Sequence, residues 1–387
     1  MILDALFFFL AVIILLLMAY LFFLAAAARL PARALPEHPP LQRFAVIIPA
    51  RNEAATIGAT LRGLSGLDYP EELREIIVIA DNCRDKTAEI AREQGALCLQ
   101  RHDPARQGKG FALGWAFPHL LARGGHDAYL VIDADTRLAP DYLRIMNRYL
   151  AGGEEAIQGY SQVRHPQRSI MESLAFLGFA LNRNLRYRGR SRLGWSANLL
   201  GTGMCFSRGL LERLGWNTTT LVEDIEYTMF LLVNGKRVIF APEARLEVEL
   251  HPGVGKSGGQ RRRWDMGKFE VRNRYVALLL RAAWTRRDPR CFDAALELLL
   301  PPFSIFVLLV LVAAGLFFLL DYHGPSLGSF FWAAAVAGLA GYIFIGLISA
   351  RAPAAVYRAL VYAPFFLFWR LWILAGQALG KRGRGQW

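Results

Sequence analysis

The chain has 387 residues, 54% of them hydrophobic, with 45 Lys and Arg against 32 Asp and Glu, for a formal net charge of +13. Its mean hydropathy of +0.26 is too high for a purely soluble globule of this size and points to membrane segments beside a globular block. Basic clusters beside apolar runs, with no helix-turn-helix pattern and no aromatic-interleaved basic groove, suit anionic lipid and argue against nucleic acid. The four cysteines, Cys83, Cys98, Cys205 and Cys291, show no C-x-x-C spacing, and the seven His show no H-E-x-x-H, so neither a disulfide framework nor a zinc site is indicated.

Residues 1–28 read as an N-terminal transmembrane anchor, because the run from residue 3 to 28 carries only Asp4 as a charge and about 20 apolar residues span a bilayer. It lacks the basic start of a signal peptide, and its apolar run is too long for one. Residues 29–43 form a linker whose prolines cannot sustain a helix. A globular domain with interfacial elements is expected over 44–280, a transmembrane helical hairpin over 298–350, and an interfacial or re-entrant helix with a basic tail over 361–387. Arg370 within that last segment, followed by Lys381, Arg382 and Arg384, disfavours a further span. Arg29, Arg33, Arg281, Arg286, Arg287, Arg290, Arg351 and Arg358 flank the spans, which places the globular block in the cytoplasm by the positive-inside rule. An abundance of Arg over Lys points to a bacterial cytoplasmic membrane.

Within the globular block, residues 44–48 read as a strand, followed by Pro49-Ala-Arg-Asn52-Glu53 and a helix over 54–64. A strand over 76–80 ends in Asp81-Asn82-Cys83-Arg84-Asp85 before a helix over 86–94. A short strand over 96–99 precedes a helix over 110–121, and the apolar run 129–132 ends in Asp133-Ala134-Asp135. Alternating strands and helices predict an α/β domain with a mostly parallel sheet, whose ligands lie at the carboxyl ends of the strands. Three polar clusters fall at three such ends. Asp133 and Asp135, two residues apart, suit a divalent cation held through oxygen.

Gly253-Val-Gly-Lys256-Ser257 lacks the first glycine of a P-loop, Leu250 standing in its place, and Gly108-Lys109-Gly110 lacks the spacing of a dinucleotide fingerprint. Residues 170–181 are apolar and helix-compatible and lead into Arg183, Arg186, Arg188, Arg190 and Arg192, which suits attachment to an anionic leaflet. Residues 201–206 read as a strand entered through glycines. Glu223 and Asp224 open a helix over 225–233, where acidic residues are favoured as helix-start charges. Gln260-Arg-Arg-Arg263-Trp264 precedes a basic helix leading to the membrane hairpin.

Taken in order, Pro49 to Glu53, Asp81 to Thr87, Lys109-Gly110, Asp133-Ala134-Asp135, Glu223-Asp224 and Gln260-x-x-Arg263-Trp264 resemble the inverting glycosyltransferases of family 2, in the membrane branch of cellulose, chitin and hyaluronan synthases. The resemblance covers residues 44–275. It implies a GT-A-like nucleotide-sugar-binding domain with transmembrane helices at both ends. It further implies that Pro49, Glu53, Asp81 and Lys109 hold the nucleotide, that Asp133 and Asp135 hold the diphosphate through Mg²⁺ or Mn²⁺, and that Gln260 and Arg263 meet the diphosphate. Asp224 matches the general base, with Glu223 and Trp264 at the acceptor. Val222, where Thr often precedes the acidic pair, and Cys83, where Ser is common, depart from the pattern without removing a charge.

The expected activity is transfer of a sugar from a nucleotide-sugar donor, a UDP-sugar, to a lipid, oligosaccharide or polysaccharide acceptor at the cytoplasmic membrane face. A processive synthase that extrudes its polymer is the second reading; with about three spans it would need a partner subunit or homodimer. A non-catalytic sugar-nucleotide sensor is the third. A transporter is disfavoured, since the spans are few and carry no paired charges.

Overall fold

The computed structural model describes residues 2–32, 35, 37–249, 254–320 and 324–378, with side chains for all of these except 2–3, 254–263, 370 and 373–378. In chain order the elements are α1 (Ile2–Ala27), β1 (Phe44–Ala50), α2 (Ile57–Ser65), β2 (Arg74–Asp81), α3 (Thr87–Glu93), β3 (Leu97–Arg101), α4 (Lys109–Arg123) and β4 (Ala128–Val131). Then follow β5 (Arg137–Leu138), α5 (Tyr142–Ala151), β6 (Ala156–Val163), α6 (Ile170–Ala180), a π-helical stretch (Leu181–Tyr187), α7 (Arg188–Arg192), β7 (Met204–Ser207) and α8 (Arg208–Leu214). The remainder is α9 (Glu223–Val233), β8 (Ile239–Val248), α10 (Val254–Arg286), α11 (Pro289–Leu299), α12 (Phe303–Leu320), α13 (Leu327–Ser349), α14 (Ala354–Ala359) and α15 (Ala363–Ala378). The described residues divide into two compact units, one drawn from 32–164 and 194–298, the other from 2–31, 165–193 and 299–378.

The first unit is built on one eight-stranded sheet in the order β3-β2-β1-β4-β7-β6-β8-β5. Strands β1 to β4 are parallel, β7 runs against both β4 and β6, β6 and β8 are parallel, and β5 runs against β8. This is the expected α/β architecture with a mixed, mostly parallel sheet. Every residue of β1 is buried, as expected of a central strand covered on both faces. Its side chains divide with period two. Phe44, Val46 and Ile48 meet Ile57 and Leu61 of α2 and Met146 of α5, whereas Ala45 and Ile47 meet Leu113 and Phe117 of α4. In α2 the buried Ile57, Leu61 and Leu64 recur at the helical spacing that makes one apolar face.

The consequence of parallel pairing is positional. Register sets Ala50 beside Ala80 and Asp81 beside Arg101, so the chain leaves β1, β2 and β3 at one edge of the sheet. Pro49, buried in β1, lies beyond Ile47, the last residue of that strand paired with β4, so its missing N–H leaves no gap in that ladder.

The second unit gathers α1, the segment 165–193 and the helices from α12 onward. Met18, Ile14, Ala11 and Phe7 of α1 recur every three or four residues and pack with Trp332, Ala335, Leu339 and Tyr342 of α13. Phe306, Val310 and Phe317 of α12 and Leu181 and Leu185 of the π-helical stretch complete this core. Arg190 of α7 is 1% exposed and donates from Nη2 to Tyr20 Oη at 2.8 Å. Three helical segments, Asp4–Ala27, Phe303–Leu320 and Leu327–Ser349, are long and apolar enough to cross a membrane. The tail with Lys381, Arg382 and Arg384 lies outside the described residues, as do the side chain of Arg370 and the start of the segment beginning at Gly253.

Candidate active site

At the end of β1 the backbone turns through Asn52, a left-handed residue with φ of 56°, and Asn82 does the same after β2 with φ of 52°. The two loops are laced together. Asn52 Oδ1 accepts from Arg84 N at 2.8 Å, Asp85 Oδ2 from Ala54 N at 3.0 Å, and Thr87 Oγ1 from Glu53 N at 2.8 Å. Glu53 is partly buried, and its carboxylate accepts from Thr56 Oγ at 2.7 Å as α2 begins. The Cys83 thiol donates to Ala50 O at 3.4 Å, and burial pushes its pKa upward.

Asp81 is fully buried. Its Oδ1 accepts from Arg101 Nη1 at 2.6 Å and from Asn82 Nδ2 at 3.0 Å, while its Oδ2 is buried with no hydrogen-bond partner among the described residues. A buried carboxylate with one oxygen committed to arginine and the other open is an acceptor awaiting an N–H or O–H. Arg101, the partner that holds it, is brought alongside by strand register.

β4 stops at Val131, and residues 133–136 form a turn in which Thr136 N donates to Asp133 O at 3.1 Å. Asp133 and Asp135 therefore stand on a turn rather than on a continuing strand. The turn is clamped from two sides. Thr60 Oγ donates to Ala134 O at 2.6 Å, and Thr202 Oγ accepts from Asp133 N at 3.1 Å and meets Thr136 Oγ at 2.9 Å. Asp135 is partly buried, and the Asp133 side chain is 43% exposed.

Lys109, the first residue of α4, is 7% exposed and donates from Nζ to Asp133 Oδ1 and to Gly201 O, the latter at 2.6 Å. Burial opposes its charge, but Asp133, Glu223 and Asp224 outweigh it and hold its pKa above the ordinary value. Lys109 thus joins the β4 turn to the Gly201-Thr202-Gly203 loop that enters β7. Both glycines have positive φ, 78° and 70°, the region L side chains rarely adopt.

Glu223 and Asp224 open α9 on the other side of that loop. Thr228 Oγ donates to Asp224 O at 2.8 Å and accepts from Leu199 N at 2.9 Å, which ties the helix to the loop. A β-carbon on Gly201 would stand 3.6 Å from Asp224 Oδ2. One on Gly110 would stand 2.7 Å from Thr218 Oγ and 3.0 Å from the Glu223 β-carbon, so only glycine lets α4 approach α9 this closely. Trp216 Nε1 donates to Gly110 O at 3.1 Å and fixes the same approach. Desolvation raises the pKa of both carboxyls; at Glu223 the charge of Asp224 adds to the rise, and at both Lys109 opposes it.

The structure therefore brings Lys109, Asp133, Glu223 and Asp224 around one glycine loop at the end of the sheet where Pro49, Glu53 and Asp81 also lie. Trp264, on α10, is 47% exposed. Gln260 and Arg263 lie on the same helix with side chains outside the described set. Sequence reasoning missed Arg101 and Thr202. The first was detectable as the basic end of a strand adjoining β2, the second as a hydroxyl between two glycines. Among the described residues no three or more His, Cys, Asp or Glu converge for a metal ion. The donor set at Asp133 and Asp135 is two carboxylates, which suits Mg²⁺ or Mn²⁺ whose remaining positions are filled by water or phosphate oxygen.

A family model described as "Glycosyltransferase like family 2" matches residues 39–267. "Probable glycosyltransferase YdaM" of Bacillus subtilis is 30% identical over 251 residues, 62% of this chain and 57% of that protein. "Beta-monoglucosyldiacylglycerol synthase" of Trichormus variabilis is 27% identical over 252 residues, 61% of this chain and 51% of that protein. "Poly-beta-1,6-N-acetyl-D-glucosamine synthase" of Staphylococcus epidermidis is 26% identical over 258 residues, 64% of this chain and 58% of that protein. The chain thus spans little more than half the length of the curated relatives it matches. The solved mannosyltransferase PcManGT of Pyrobaculum calidifontis, in complex with GDP-Man and Mn²⁺, shares the fold at a TM-score of 0.58 and 20% identity, over 93% of this chain and 98% of that one.

Proposed function

The chain belongs to glycosyltransferase-like family 2, and we propose that it transfers a hexosyl group from a UDP-sugar, with inversion, to an acceptor hydroxyl presented at the cytoplasmic face of a membrane. The observation that carries this reading is the cluster of Lys109, Asp133, Glu223 and Asp224 around Gly201-Thr202-Gly203, at the strand ends that hold Asp81. The open Oδ2 of Asp81 suits the imide N–H of uracil. Membrane placement is supported by the three apolar helices and the arginines that flank them.

Asp224 is the general base. Its carboxylate takes the acceptor hydroxyl proton as the oxygen attacks the anomeric carbon and the bond from that carbon to the diphosphate breaks, so inversion follows from a single displacement. Its raised pKa brings it nearer to operating pH, where proton transfer is most effective. Glu223 lies beside it and orients the acceptor, and exposed Trp264 offers a flat apolar surface for a sugar or lipid. Glu53 and Pro49 shape the nucleotide end, and Gln260 and Arg263 meet the diphosphate. A divalent cation held by Asp133 and Asp135 would neutralise charge on the leaving diphosphate. Lys109 balances the Asp133 charge and anchors the turn, beside its expected role at the nucleotide.

Two of the relatives are named as a glycolipid synthase and a polysaccharide synthase, which supports a lipid or a polysaccharide as the acceptor. The test is a screen of UDP-sugars with the purified full chain in lipid, reading UDP release with and without chelator. UDP release that depends on both donor and cation supports the reading. Undiminished turnover by Asp224→Asn removes Asp224 from its role.

A further inference from the structure

We propose that Glu226, held by Arg274, is a positioning residue that ties the loop before the candidate base to helix α10. It rests on the reading that Asp224 is the base. Glu226 lies two residues beyond Asp224 in the first turn of α9, where an acidic side chain would ordinarily be a solvated helix-start charge. Its side chain is instead fully buried. It folds back toward the preceding loop, where Oε2 accepts from Thr219 N and Thr220 N, both at 2.8 Å. Oε1 accepts from Arg274 Nη1 at 2.7 Å, and the same Nη1 donates to Thr219 Oγ at 3.2 Å.

Two backbone amides and one guanidinium thus converge on one carboxylate, and these charge-assisted bonds are stronger than neutral ones. The amides belong to the loop that delivers Val222, Glu223 and Asp224, and the guanidinium belongs to α10. A second contact binds the same two elements: a β-carbon on Gly267 of α10 would stand 2.8 Å from both γ-carbons of Val222. Val222 directly precedes the acidic pair, and Gly267 lies one turn beyond Trp264. The spacing between the base and the helix that carries Gln260 to Trp264 is therefore set at two points, an ion pair and an apolar contact without clearance. Displacement of a reacting group by about 1 Å can cost on the order of a hundredfold in rate, so a tether at this point acts on the chemical step.

Arg274 can be replaced with the fold kept, because the Glu226 carboxylate retains its bonds from Thr219 N and Thr220 N and the Arg274 side chain is 52% exposed, so water reaches the vacated place. With the full-length protein in lipid, Arg274→Gln is expected to lower kcat by about tenfold while the donor KM stays within twofold, and Arg274→Lys should recover most of that loss. Amide hydrogen exchange at Thr219 and Thr220 should rise in Arg274→Gln while exchange in β1 and β2 is unchanged. A kcat within twofold of wild type, or a donor KM that rises as kcat falls, overturns the proposal. Wild-type protein that turns over no UDP-sugar sinks the functional reading instead. In that case the exchange data decide the tether by themselves: unchanged exchange at both amides refutes it and faster exchange sustains it.

Discussion

The two sides of the candidate site are assembled by different forces. On one side Glu53 follows β1, Asp81 ends β2 and Asp133 follows β4, three neighbouring parallel strands whose backbone ladders align their ends whatever the side chains do. On the other side Glu223 and Asp224 stand on a helix that pairs with no strand. Their place depends on side-chain bonds, through Thr228 and Glu226, and on close approach at Gly110 and Gly267. The strand-borne side should therefore tolerate local substitutions in geometry while losing affinity. The helix-borne side should lose rate.

Five measurements press on that contrast. The largest effect is expected at Asp224→Asn, which removes the proposed proton acceptor and should lower kcat by about 10³-fold with donor binding nearly intact, as read by UDP release and by donor titration. Chelation of divalent cations, or Asp135→Ala, should lower turnover by about 10²-fold while the domain stays folded, and retained cation-dependent turnover in Asp135→Ala would place the metal elsewhere. Gly110→Ala forces Thr218 and Glu223 away from α4 and should lower kcat by a few tens-fold, roughly. Adding Thr218→Ala relieves one of the two clashes, so the double variant should recover part of the loss, and a simple sum of the single effects would show that the contact is not shared.

On the strand-borne side Arg101→Leu leaves Asp81 buried and unpaired, which should cost about 3 kcal/mol in a thermal or denaturant transition and raise the donor KM more than it lowers kcat. The smallest expected effect is with pH. A base must be deprotonated to act, and the carboxyl of Asp224 is raised by desolvation, so kcat/KM should climb with pH through a limb above the ordinary carboxylate range. A limb at the ordinary carboxylate position would mean that Asp224 is solvated in the free protein.

Much of the strand-borne side was legible in the sequence because continuous apolar runs that end in charge, such as the one reaching Asp133, have few alternatives to a buried parallel strand. β6 and β8 were not legible. β6 contains Gln158 and Ser161, both buried; Gln158 Nε2 donates to Thr202 O at 2.9 Å and its Oε1 accepts from Leu200 N at 2.9 Å. A polar residue in a strand pattern signals exposure unless its partners are known. The partners here come from a loop more than 40 residues away, as the bonds show. Lys109 likewise takes its described partners, Asp133 and Gly201, from 24 and 92 residues further along the chain.

The stretch of residues 165–193 teaches a similar lesson. Its apolar run and its arginines were readable, but its clustering with α1 and the helices beyond α12 rests on buried Leu181 and Leu185 and on the bond from Arg190 to Tyr20. These are pairings between segments far apart in the chain.

By itself the sequence determined the apolar spans, the alternation that makes a mostly parallel sheet, and the order of acidic strand ends, since each depends on the local period of hydrophobicity. Only the tertiary structure decided which carboxylate is open and which is tied: Asp81 to Arg101, Asp133 to Lys109, Glu226 to Arg274. The physical reason is that an ionisable side chain takes its role from the charge and solvent brought against it, and those arrive from elements that local sequence does not connect.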